Sequence, residues 1–482
     1  MDRSLPEQLD LIAGEWVPPS RERGESLEDP NTGEELQAQM ATDDDGVEAA
    51  IAASVAAYSG WSATSPDDRA DALDAVADAL APLAGECARV EALGSGATIG
   101  TTGMLSFIFH AAFRLAAEQL RAGVTYSTLE GPTGRDVEIH KLGWGPAALL
   151  VPWNAPAPMA AHKAASALAA GCTVLVKPPE RVPHGTAMLG LGAQAAGLPV
   201  GVVQVVHGGP EVGGRLVTDD RVRAVSFTGG IAGGRAIAHA CAEGLKPAQL
   251  ELGGHGPLVI MPDASTDTAA DGAVALLTTL NGQWCRALGR LLVPAERHDE
   301  IVEAVVARLE TLEVGDSLDP GSMMGPMVHS SHRQLLTERI AELVGHGGTA
   351  LAPAPLPGGE WAGGNWLSPT LVTGVVAGHA RTEVFGPVAT VHGYADLDDA
   401  VAIANDSPYG LEAYVIGTDE DAAMAVGRRL HAGGVKVNGT SPMGLHLMAP
   451  RPAWGISGLV DEGTTETIEF FQGTRVVGVE TA

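Results

Sequence analysis

The chain has 482 residues, of which 45% are hydrophobic, and a formal net charge of −30. This length and apolar content predict a globular protein of two or three domains, and the negative field argues against a nucleic acid partner. No apolar run approaches the roughly 18 residues of a membrane span and the N-terminus lacks a secretory signal, so we expect a soluble, cytoplasmic protein without a membrane partner.

The cysteine pattern bears on disulfides and metals. The four cysteines, Cys87, Cys172, Cys241 and Cys285, are scattered singly, without Cys-x-x-Cys or Cys/His ligand spacing. This pattern argues against a disulfide framework and against a zinc site.

The first 143 residues predict hairpins, then helices, then strands. Residues 9–17 read as a short hairpin, and a turn at 29–33 leads into another. A Ser N-cap followed by Pro and two Asp starts a helix that we expect to cover 65–93. A further helix is expected at 103–121, and the turn-rich stretch 122–143 should contribute strands outside the helical body.

From residue 147 the chain alternates between apolar strands and helices. The strands are expected at Ala147–Val151, Thr173–Val176, Val202–Val206, Ala224–Phe227 and Pro257–Met261, with helices at about 158–170, 184–196 and 211–217. This alternation predicts a buried parallel sheet. A second alternating block follows Asp263. Residues 472–480 contain a last strand, which we expect to pair with the strands of 122–143 in its own or a neighbouring subunit.

The most informative stretch is Asn281–Ala287, which contains Cys285. A free cysteine usually fills space in a core. Here Gly282 would permit close backbone approach, and Arg286 supplies a positive charge that favours the reactive thiolate. Cys285 is therefore a candidate nucleophile if the fold also supplies a base, an oxyanion donor and a cofactor site.

Two stretches are candidates for binding a dinucleotide. Lys177 and Glu180 follow a predicted strand at its carboxyl end, where a carboxylate would accept hydrogen bonds from the adenosine ribose. Glu180 would also repel a 2′-phosphate, which favours NAD over NADP, although an ordinary solvated charge pair is the alternative. The glycine-rich run Phe227–Arg235 leads from a strand into a helix start, where N–H groups could approach a pyrophosphate. Glycine is so common in this chain that the run alone is weak support.

Two polar groups are suited to acyl chemistry. Asn154 ends a predicted strand and could donate its amide to a developing oxyanion, or serve as a turn residue. Glu251 lies in an apolar setting before Gly253 and Gly254, and burial would raise its pKa toward that of a working general base. The alternative for Glu251 is a helix cap or a loop carboxylate.

Together these motifs resemble the aldehyde dehydrogenase superfamily in order and spacing. The matching segments are Pro152–Asn154, Lys177–Glu180, Phe227–Gly229, Glu251–Gly254, Gly282–Cys285 and Glu383–Pro387. The likeness extends from Gly14–Trp16 to Ser457–Gly458, nearly the whole chain. The Glu-Leu-Gly-Gly and Gly-Gln-x-Cys signatures at this separation are highly specific.

The resemblance implies an enzyme that oxidises an aldehyde to a carboxylic acid with NAD(P)+. Cys285 would add to the aldehyde carbon, and the Asn154 amide with the Cys285 backbone N–H would hold the oxyanion. After hydride passes to the nicotinamide, Glu251 would activate water to hydrolyse the thioester. Lys163 and Glu462 match positions suspected of relaying the proton away from Glu251.

The resemblance also implies which residues bind the cofactor and the aldehyde. The cofactor positions are, for the adenosine ribose, Lys177 and Glu180; for the pyrophosphate, Gly229 and Gly234; for the nicotinamide ribose, Glu383 and Phe385; and, around them, Val151, Trp153, Pro179, Gly213, Phe227, Gly230 and Leu252. The aldehyde would be lined by Ala155, Met159, His162, Trp284, Arg286 and Arg451.

Several positions depart from the family pattern. Gly230 stands where Ser or Thr is usual, which removes a hydroxyl donor to phosphate. Ala155 replaces an aromatic residue and His162 a Trp, and both changes should widen the substrate tunnel and make it more polar. Near the C-terminus, Arg451 and Trp454 replace the usual groups of the tunnel mouth. We therefore expect a bulky or anion-bearing aldehyde, unless these last changes are drift in a permissive loop.

The resemblance implies an α/β fold with a Rossmann-like cofactor domain, a second α/β catalytic domain and a small β oligomerisation arm. The cofactor domain would take residues 1–121 and 144–253, the catalytic domain 254–449, and the arm 122–143 with 467–482. An exposed strand edge in the arm needs covering, which predicts a homodimer or homotetramer.

Two other functions compete with hydrolytic aldehyde oxidation. A CoA-acylating relative would pass the acyl group to CoA in place of water, but such relatives typically lack the base, so Glu251 argues against it. A non-catalytic, ligand-binding member of the fold is disfavoured by the intact set of Asn154, Glu251 and Cys285.

Overall fold

A computed structural model describes residues 1–131 and 134–480. Residues 132–133 and 481–482, which belong to the ranges predicted for the arm, lie outside the described residues. The strands up to residue 251 are β1 (Asp10–Ile12), β2 (Glu15–Val17), β3 (Arg21–Glu28), β4 (Glu35–Ala41), β5 (Tyr126–Glu130), β6 (Asp136–Gly143), β7 (Ala147–Leu150), β8 (Val174–Lys177), β9 (Val203–Val205), β10 (Ala224–Thr228) and β11 (Ala248–Glu251). The helices of this part are α1 (Asp44–Ala63), α2 (Pro66–Leu80), α3 (Ala84–Ser95), α4 (Ile99–Arg121), α5 (Pro156–Ala170), α6 (His184–Ala195), α7 (Pro210–Thr218) and α8 (Ile231–Glu243).

The second half continues with the same alternation. Its strands are β12 (Gly256–Ile260), β13 (Leu288–Pro294), β14 (Thr349–Leu351), β15 (Thr370–Thr373), β16 (Val388–Tyr394), β17 (Tyr409–Gly410), β18 (Glu412–Ile416), β19 (Gly434–Val437), β20 (Trp454–Gly455), β21 (Gly458–Leu459) and β22 (Gln472–Val477). Its helices are α9 (Thr266–Thr278), α10 (His298–Glu310), α11 (Ser330–Gly345), α12 (Leu397–Asn405), α13 (Glu420–Gly427) and α14 (Thr464–Phe470).

The first sheet has the order β2-β1-β9-β8-β7-β10-β11-β21. Its five middle strands, from β9 to β11, run parallel, and the antiparallel pairs lie toward the edges. Successive side chains of β7 enter different cores, Leu149 on one face and Leu150 on the other. Because both faces are covered, the strands read as continuous apolar runs, as the sequence predicted.

The second sheet has the order β14-β15-β16-β13-β12-β18-β19 and is parallel except for the β14–β15 pair. Strand β12 corresponds to the predicted run Pro257–Met261, which the sequence pattern placed with the strands before it. It lies in the second sheet, because hydrophobic periodicity identifies a buried strand but does not say which sheet receives it. The α/β fold class is confirmed.

A third sheet, β22-β6-β5, is antiparallel and stands apart from the two large ones. The last strand pairs with β6 of its own chain, in a register that places Val476 opposite Ile139. This confirms the first of the two pairings expected for it. Every residue of β5 is exposed, so this strand is the open edge of the sheet.

Two expectations from the sequence were wrong in detail. The helix expected at 65–93 is split into α2 and α3 by a short 3-10 turn at Ala81–Leu83, where Pro82 cannot donate the helical hydrogen bond. Within the described residues, α4 is also long and apolar enough to cross a membrane by length and composition, although no such stretch was expected. It packs against α2, α3 and α5 with Phe109 and Phe113 buried.

Candidate active site

The carboxyl ends of the parallel strands place several predicted site residues along one edge of the first sheet. Lys177, the last residue of β8, lies beside Leu150 at the end of β7. Leu150 in turn pairs with Phe227, and Thr228 at the end of β10 pairs with Glu251 at the end of β11. Residues far apart in sequence meet here because parallel strands bring their carboxyl ends to one edge of the sheet. Open α/β sheets bind ligands at this edge.

A cavity of about 560 Å³ covers this edge. The predicted cofactor residues that line it are Val151, Trp153, Lys177, Pro179, Glu180, Gly213, Phe227, Gly229, Gly230, Leu252, Glu383 and Phe385. Gly234 is not among its lining residues. A Cβ on Gly234 would meet the side chain of Leu252, so this glycine allows α8 to pack closely against Leu252. Gly233 lines the cavity in its place.

One end of this cavity fits an adenosine diphosphate group. Lys177 Nζ donates to the carbonyls of Pro178 at 2.8 Å and Gly208 at 2.6 Å and lies 3.5 Å from a carboxylate oxygen of Glu180. Lys177 is thereby fixed beneath the edge, whereas the Glu180 side chain is 35% exposed. Helix α8 begins after Gly230 without a side-chain cap, so its first N–H groups are free to receive a phosphate.

The other end of the cavity has an aromatic wall and a buried carboxyl group. The Trp153 ring packs edge-on against His332 and Phe385, at centroid distances of 5.3 and 5.5 Å. Glu383 accepts a hydrogen bond from the Gly254 N–H at 2.9 Å, and burial raises the pKa of this carboxyl to about 7. His332 was not predicted, because it belongs to α11, remote in sequence from every motif, and carries no local signature.

The chain approaches Cys285 through an unusual local conformation. Leu280, Asn281 and Gly282 all have positive φ, which is uncommon for residues other than glycine. The Asn281 amide holds this turn by donating to the carbonyls of Gly96 at 2.7 Å and Pro326 at 2.9 Å. Backbone in this uncommon conformation is retained only where surrounding contacts hold it in place. Here the contacts of Asn281 fix the turn, and the turn sets the position of Cys285.

The two glycines after Glu251 bring the two sheets together at Cys285. A Cβ on Gly253 would meet the carboxylate of Glu383, and a Cβ on Gly254 would meet the carbonyl oxygen of Cys285. The Glu-Leu-Gly-Gly motif therefore has two parts with different roles. It supplies the Glu251 carboxyl group at the end of β11. The two glycines that follow have no side chains, so their backbone can pass directly beside the cysteine loop.

Cys285 and Glu251 face each other. The thiol Sγ lies 3.5 Å from Glu251 Oε1, and Glu251 Oε2 is buried without a hydrogen-bond partner among the described residues. Burial first, and the nearby Glu462 second, raise the pKa of Glu251 to about 7, although Arg286 and Lys163 oppose the rise. A carboxyl group of this pKa is half ionised near neutral pH, as a general base should be.

Arg286 does not activate the thiol as the sequence suggested. Its guanidinium is 2.7 Å from Glu412, so most of its charge is already paired. Burial and the Glu251 carboxylate hold the pKa of Cys285 well above its usual range, and Arg286 only partly offsets them. The thiol is therefore protonated in this state of the protein, and it must lose that proton as its sulfur attacks.

Asn154 is buried beside the same cavity, immediately before α5. This helix lacks a side-chain cap of its own. In place of a cap, a carboxyl oxygen of Glu91, from α3, accepts a hydrogen bond from the Ala157 N–H at 2.6 Å. Burial raises the pKa of Glu91 to about 8. Glu91 thus fixes the turn that carries Asn154, a role the sequence did not indicate because the two residues are distant in the chain.

Lys163, also on α5, belongs to a buried polar network. Its Nζ is 2.6 Å from Glu462 and 2.8 Å from the Ser226 hydroxyl. Burial alone would raise the pKa of Glu462, but Lys163 and then Arg451 hold that pKa below its usual range. Lys163 and Glu462, which the resemblance connected with proton relay, thus form an ion pair that acts on Glu251.

A second cavity, of about 190 Å³, lies on the other side of Cys285. All six residues predicted to contact the aldehyde line it: Ala155, Met159, His162, Trp284, Arg286 and Arg451. The two cavities share Cys285, Glu251, Met159 and Thr228. Trp454, expected at the tunnel mouth, instead belongs to β20, which pairs with β17, and its ring lies 5.3 Å from that of His431.

The arrangement thus places a thiol and a buried carboxyl group between a long cavity and a short one. Residues 16–477 match the aldehyde dehydrogenase family. The chain belongs to this family. The members of the family that it resembles are NAD(P)-dependent oxidoreductases, and this chain is therefore an NAD(P)-dependent aldehyde dehydrogenase.

Relatives resemble this aldehyde dehydrogenase over nearly its full length. A geranial dehydrogenase of Castellaniella defragrans is 33% identical over 474 residues, which cover 97% of this chain and 98% of that enzyme. The NADP+-dependent succinate-semialdehyde dehydrogenase of Escherichia coli is 32% identical over 477 residues, 97% of each chain. Betaine aldehyde dehydrogenase of Staphylococcus aureus, solved with NAD+, aligns with a TM-score of 0.93 at 28% identity, covering 98% of this chain and 94% of that one.

Proposed function

We propose that Cys285, Glu251 and Asn154 are the catalytic residues of this aldehyde dehydrogenase. The observation that carries the proposal is the meeting of two cavities at a thiol that lies 3.5 Å from a buried carboxyl group. The long cavity suits a dinucleotide, and the short cavity suits an aldehyde.

In the first half of the reaction, the Cys285 thiol releases its proton to solvent as its sulfur adds to the aldehyde carbon and forms a thiohemiacetal. The Asn154 side-chain amide and the Cys285 backbone N–H donate to the oxygen, which becomes negative as the bond forms. A dinucleotide held in the long cavity would supply the hydride acceptor, and loss of hydride from this carbon would leave the substrate as a thioester on Cys285.

In the second half, Glu251 takes a proton from water as that water attacks the thioester carbon. The carbon–sulfur bond breaks, the acid leaves and the proton returns to the Cys285 thiol. The pKa of Glu251, about 7, fits this role because the carboxylate form is populated at neutral pH. Lys163 and Glu462 lie alongside and are proposed to pass protons between Glu251 and solvent.

We assign the cofactor by charge. Lys177 and Glu180 would hold the adenosine ribose, the start of α8 with Gly229 and Gly230 the pyrophosphate, and Glu383 with Phe385 the nicotinamide ribose. Because Glu180 would repel a 2′-phosphate, we propose NAD+ as the preferred cofactor, with NADP+ used less well.

We also propose the organisation of the whole molecule. Residues 1–121 and 144–253 would form the cofactor domain, 254–449 the catalytic domain, and the strands near 122–143 with the C-terminal strand an arm. The exposed edge of β5 needs covering, and a second copy of the chain is the simplest cover, so we propose a homodimer or homotetramer in the cytoplasm.

The proposal is tested by NADH formation at 340 nm with a panel of aldehydes. We expect NAD+ reduction by the wild type and its loss in Cys285→Ala. Cys241→Ala is the matched control, because Cys241 is a buried thiol remote from the shared wall of the cavities. Activity that survives in Cys285→Ala would refute the assignment.

Product analysis separates hydrolysis from acyl transfer to CoA. With Glu251 in place, we expect the carboxylic acid as product whether or not CoA is present. An acyl-CoA product, or a rate that depends on CoA, would favour the acylating alternative.

A further inference from the structure

We propose that Arg451 binds an anionic group at the end of the substrate opposite the aldehyde, so that the preferred substrates are aldehydes with a terminal carboxylate. The inference deepens the proposed function, since it takes Cys285 as the site of reaction.

Most of the second cavity is apolar. Its aliphatic and aromatic walls come from α4 and from the cysteine loop, including Leu105, Phe107, Ile108, Leu115, Leu280 and Trp284. The Arg451 guanidinium lines the same space, with 37% of its side chain exposed. A charged group in an apolar cavity is unfavourable unless a partner compensates the lost hydration, so the partners of this guanidinium decide its role.

The backbone of Arg451 is fixed. Its N–H donates to the Glu462 carbonyl at 2.6 Å, and the Glu462 N–H donates back to the Arg451 carbonyl at 3.2 Å. The Glu462 side chain in turn pairs with Lys163 on α5. The guanidinium is thus presented from a rigid bridge, as a binding group should be.

The hydrogen-bonding capacity of Arg451 is largely unused. A guanidinium has five N–H donors. Within the described chain only Nη2 reaches an acceptor, His162 Nε2 at 2.9 Å, and Nε is buried without one. The nearest carboxylate oxygen, on Glu462, is 3.7 Å from Nη2, too far for a hydrogen bond.

His162 serves this guanidinium as an acceptor. Arginine can only donate, so Nε2 must carry the lone pair and the ring must be neutral. Burial, and then Arg451, lower the pKa of His162 to about 3, in agreement with a neutral ring. His162 therefore orients Arg451 without cancelling its charge.

The charges around Arg451 are incompletely balanced. Glu462 lies 2.6 Å from Lys163 and 3.7 Å from Arg451, so one carboxylate faces two cations. Arg286, which also lines the cavity, is paired with Glu412, whereas Glu251 and Glu466 act on Arg451 only from beyond ion-pair distance. Glu462 is within ion-pair distance of Arg451, but it is shared with Lys163, and among the described residues no carboxylate oxygen is close enough to form a hydrogen-bonded pair with Arg451. A substrate carboxylate would supply that pair, in the bidentate geometry that guanidinium favours.

The experiment compares matched pairs of aldehydes that differ only in the terminal carboxylate. The pairs are 4-oxobutanoate with butanal, 5-oxopentanoate with pentanal, and 6-oxohexanoate with hexanal, and the methyl ester of 6-oxohexanoate provides an uncharged isostere. We expect kcat/KM of the wild type to favour the carboxylate by about 30-fold or more in at least one pair, which corresponds to ~2 kcal/mol at ~1.4 kcal/mol per factor of ten.

Variants assign that preference to Arg451. Arg451→Leu should reduce the carboxylate-to-alkyl ratio to about one, mainly through KM, and Arg451→Lys should retain part of it. Arg428→Leu is the control, because Arg428 is exposed on a distant helix end and should keep the wild-type ratio. NAD+ affinity, measured by titration calorimetry, reports whether each variant is folded.

The outcomes separate this inference from the proposed function. Equal or higher kcat/KM for alkyl aldehydes or the ester in the wild type would overturn it, as would an unchanged ratio in Arg451→Leu. Either result would leave Cys285-dependent oxidation intact. Failure of the proposed function would instead appear as activity that persists in Cys285→Ala.

Discussion

Replacing Glu251 by Gln removes the carboxylate beside Cys285 but keeps the size of the side chain and its hydrogen-bonding capacity. In the proposed mechanism, Cys285 can still form the thioester, but no base remains to activate water. General bases contribute about 10²- to 10⁴-fold. We therefore expect Glu251→Gln to slow steady-state turnover by about that factor, with the loss confined to hydrolysis of the thioester.

The magnitude of the pH effect follows from the environment of Glu251. With a pKa of about 7, the carboxylate fraction rises from about one tenth at pH 6 to about nine tenths at pH 8. Hydrolysis by the wild type should therefore rise about tenfold over this range. A carboxyl group with its ordinary pKa would be almost fully ionised throughout and would leave the rate nearly constant.

Stopped-flow absorbance at 340 nm measures both quantities. Glu251→Gln should release one NADH per site rapidly and then turn over slowly, and its slow phase should lose the rise between pH 6 and 8. Glu303→Gln, an exposed change far from the site, is the control. Wild-type turnover in Glu251→Gln would refute the assignment. Loss of the rapid phase as well would show that Glu251 acts earlier, on the Cys285 thiol 3.5 Å away.

Three further changes test other parts of the site. Glu180→Gln should raise the ratio of kcat/KM for NADP+ to that for NAD+ by about tenfold, because the 2′-phosphate no longer meets a carboxylate. Gly230→Ser should lower the Kd for NAD+ by about tenfold in calorimetry, since a Cβ there meets open space and the hydroxyl can donate to phosphate. The pKa of Glu91 is about 8 in the folded protein and about 4.5 in the unfolded chain, so the folded state holds this proton more tightly. The contribution of Glu91 to the free energy of unfolding is therefore complete below about pH 4.5 and is lost as pH rises through 8. Relative to Glu91→Gln, the wild type should therefore lose on the order of 3 kcal/mol between pH 5 and 8, measured as Tm against pH.

Each of these changes has a contradicting result. An unchanged ratio of kcat/KM for NADP+ to that for NAD+ in Glu180→Gln would mean that another group discriminates between a ribose 2′-hydroxyl and a 2′-phosphate. Weaker NAD+ binding in Gly230→Ser would mean that the phosphate approaches closer than a side chain allows. Parallel curves of Tm against pH for the wild type and Glu91→Gln would mean that Glu91 is ionised in the folded protein.

The sequence predicted which residues lie together where each of them ends a local element. Lys177 and Glu251 each end a parallel strand, and parallel strands bring their carboxyl ends to one edge, so local pattern was enough to place them together. The Gly-Gln-Trp-Cys stretch was recognisable because the cysteine loop needs glycine and amide groups at fixed spacing.

Properties that depend on distant partners were not predictable in this way. The pKa of Cys285 depends on burial and on the engagement of Arg286 by Glu412, 126 residues further along the chain. The role of Glu91 depends on a contact with α5 across 66 residues. The strand pattern alone also grouped β12 with the wrong sheet, although the range 254–449 implied by the resemblance includes it, because the sequence of a single buried strand does not show which strands it pairs with.

Intact-mass spectrometry of Glu251→Gln, mixed with NAD+ and an aldehyde substrate, tests the central claim most directly. The account predicts a covalent adduct of the aldehyde mass less two hydrogens, and peptide mapping should place it on Cys285 alone. An adduct on Cys87, Cys172 or Cys241, or rapid NADH formation with no adduct, would contradict the account.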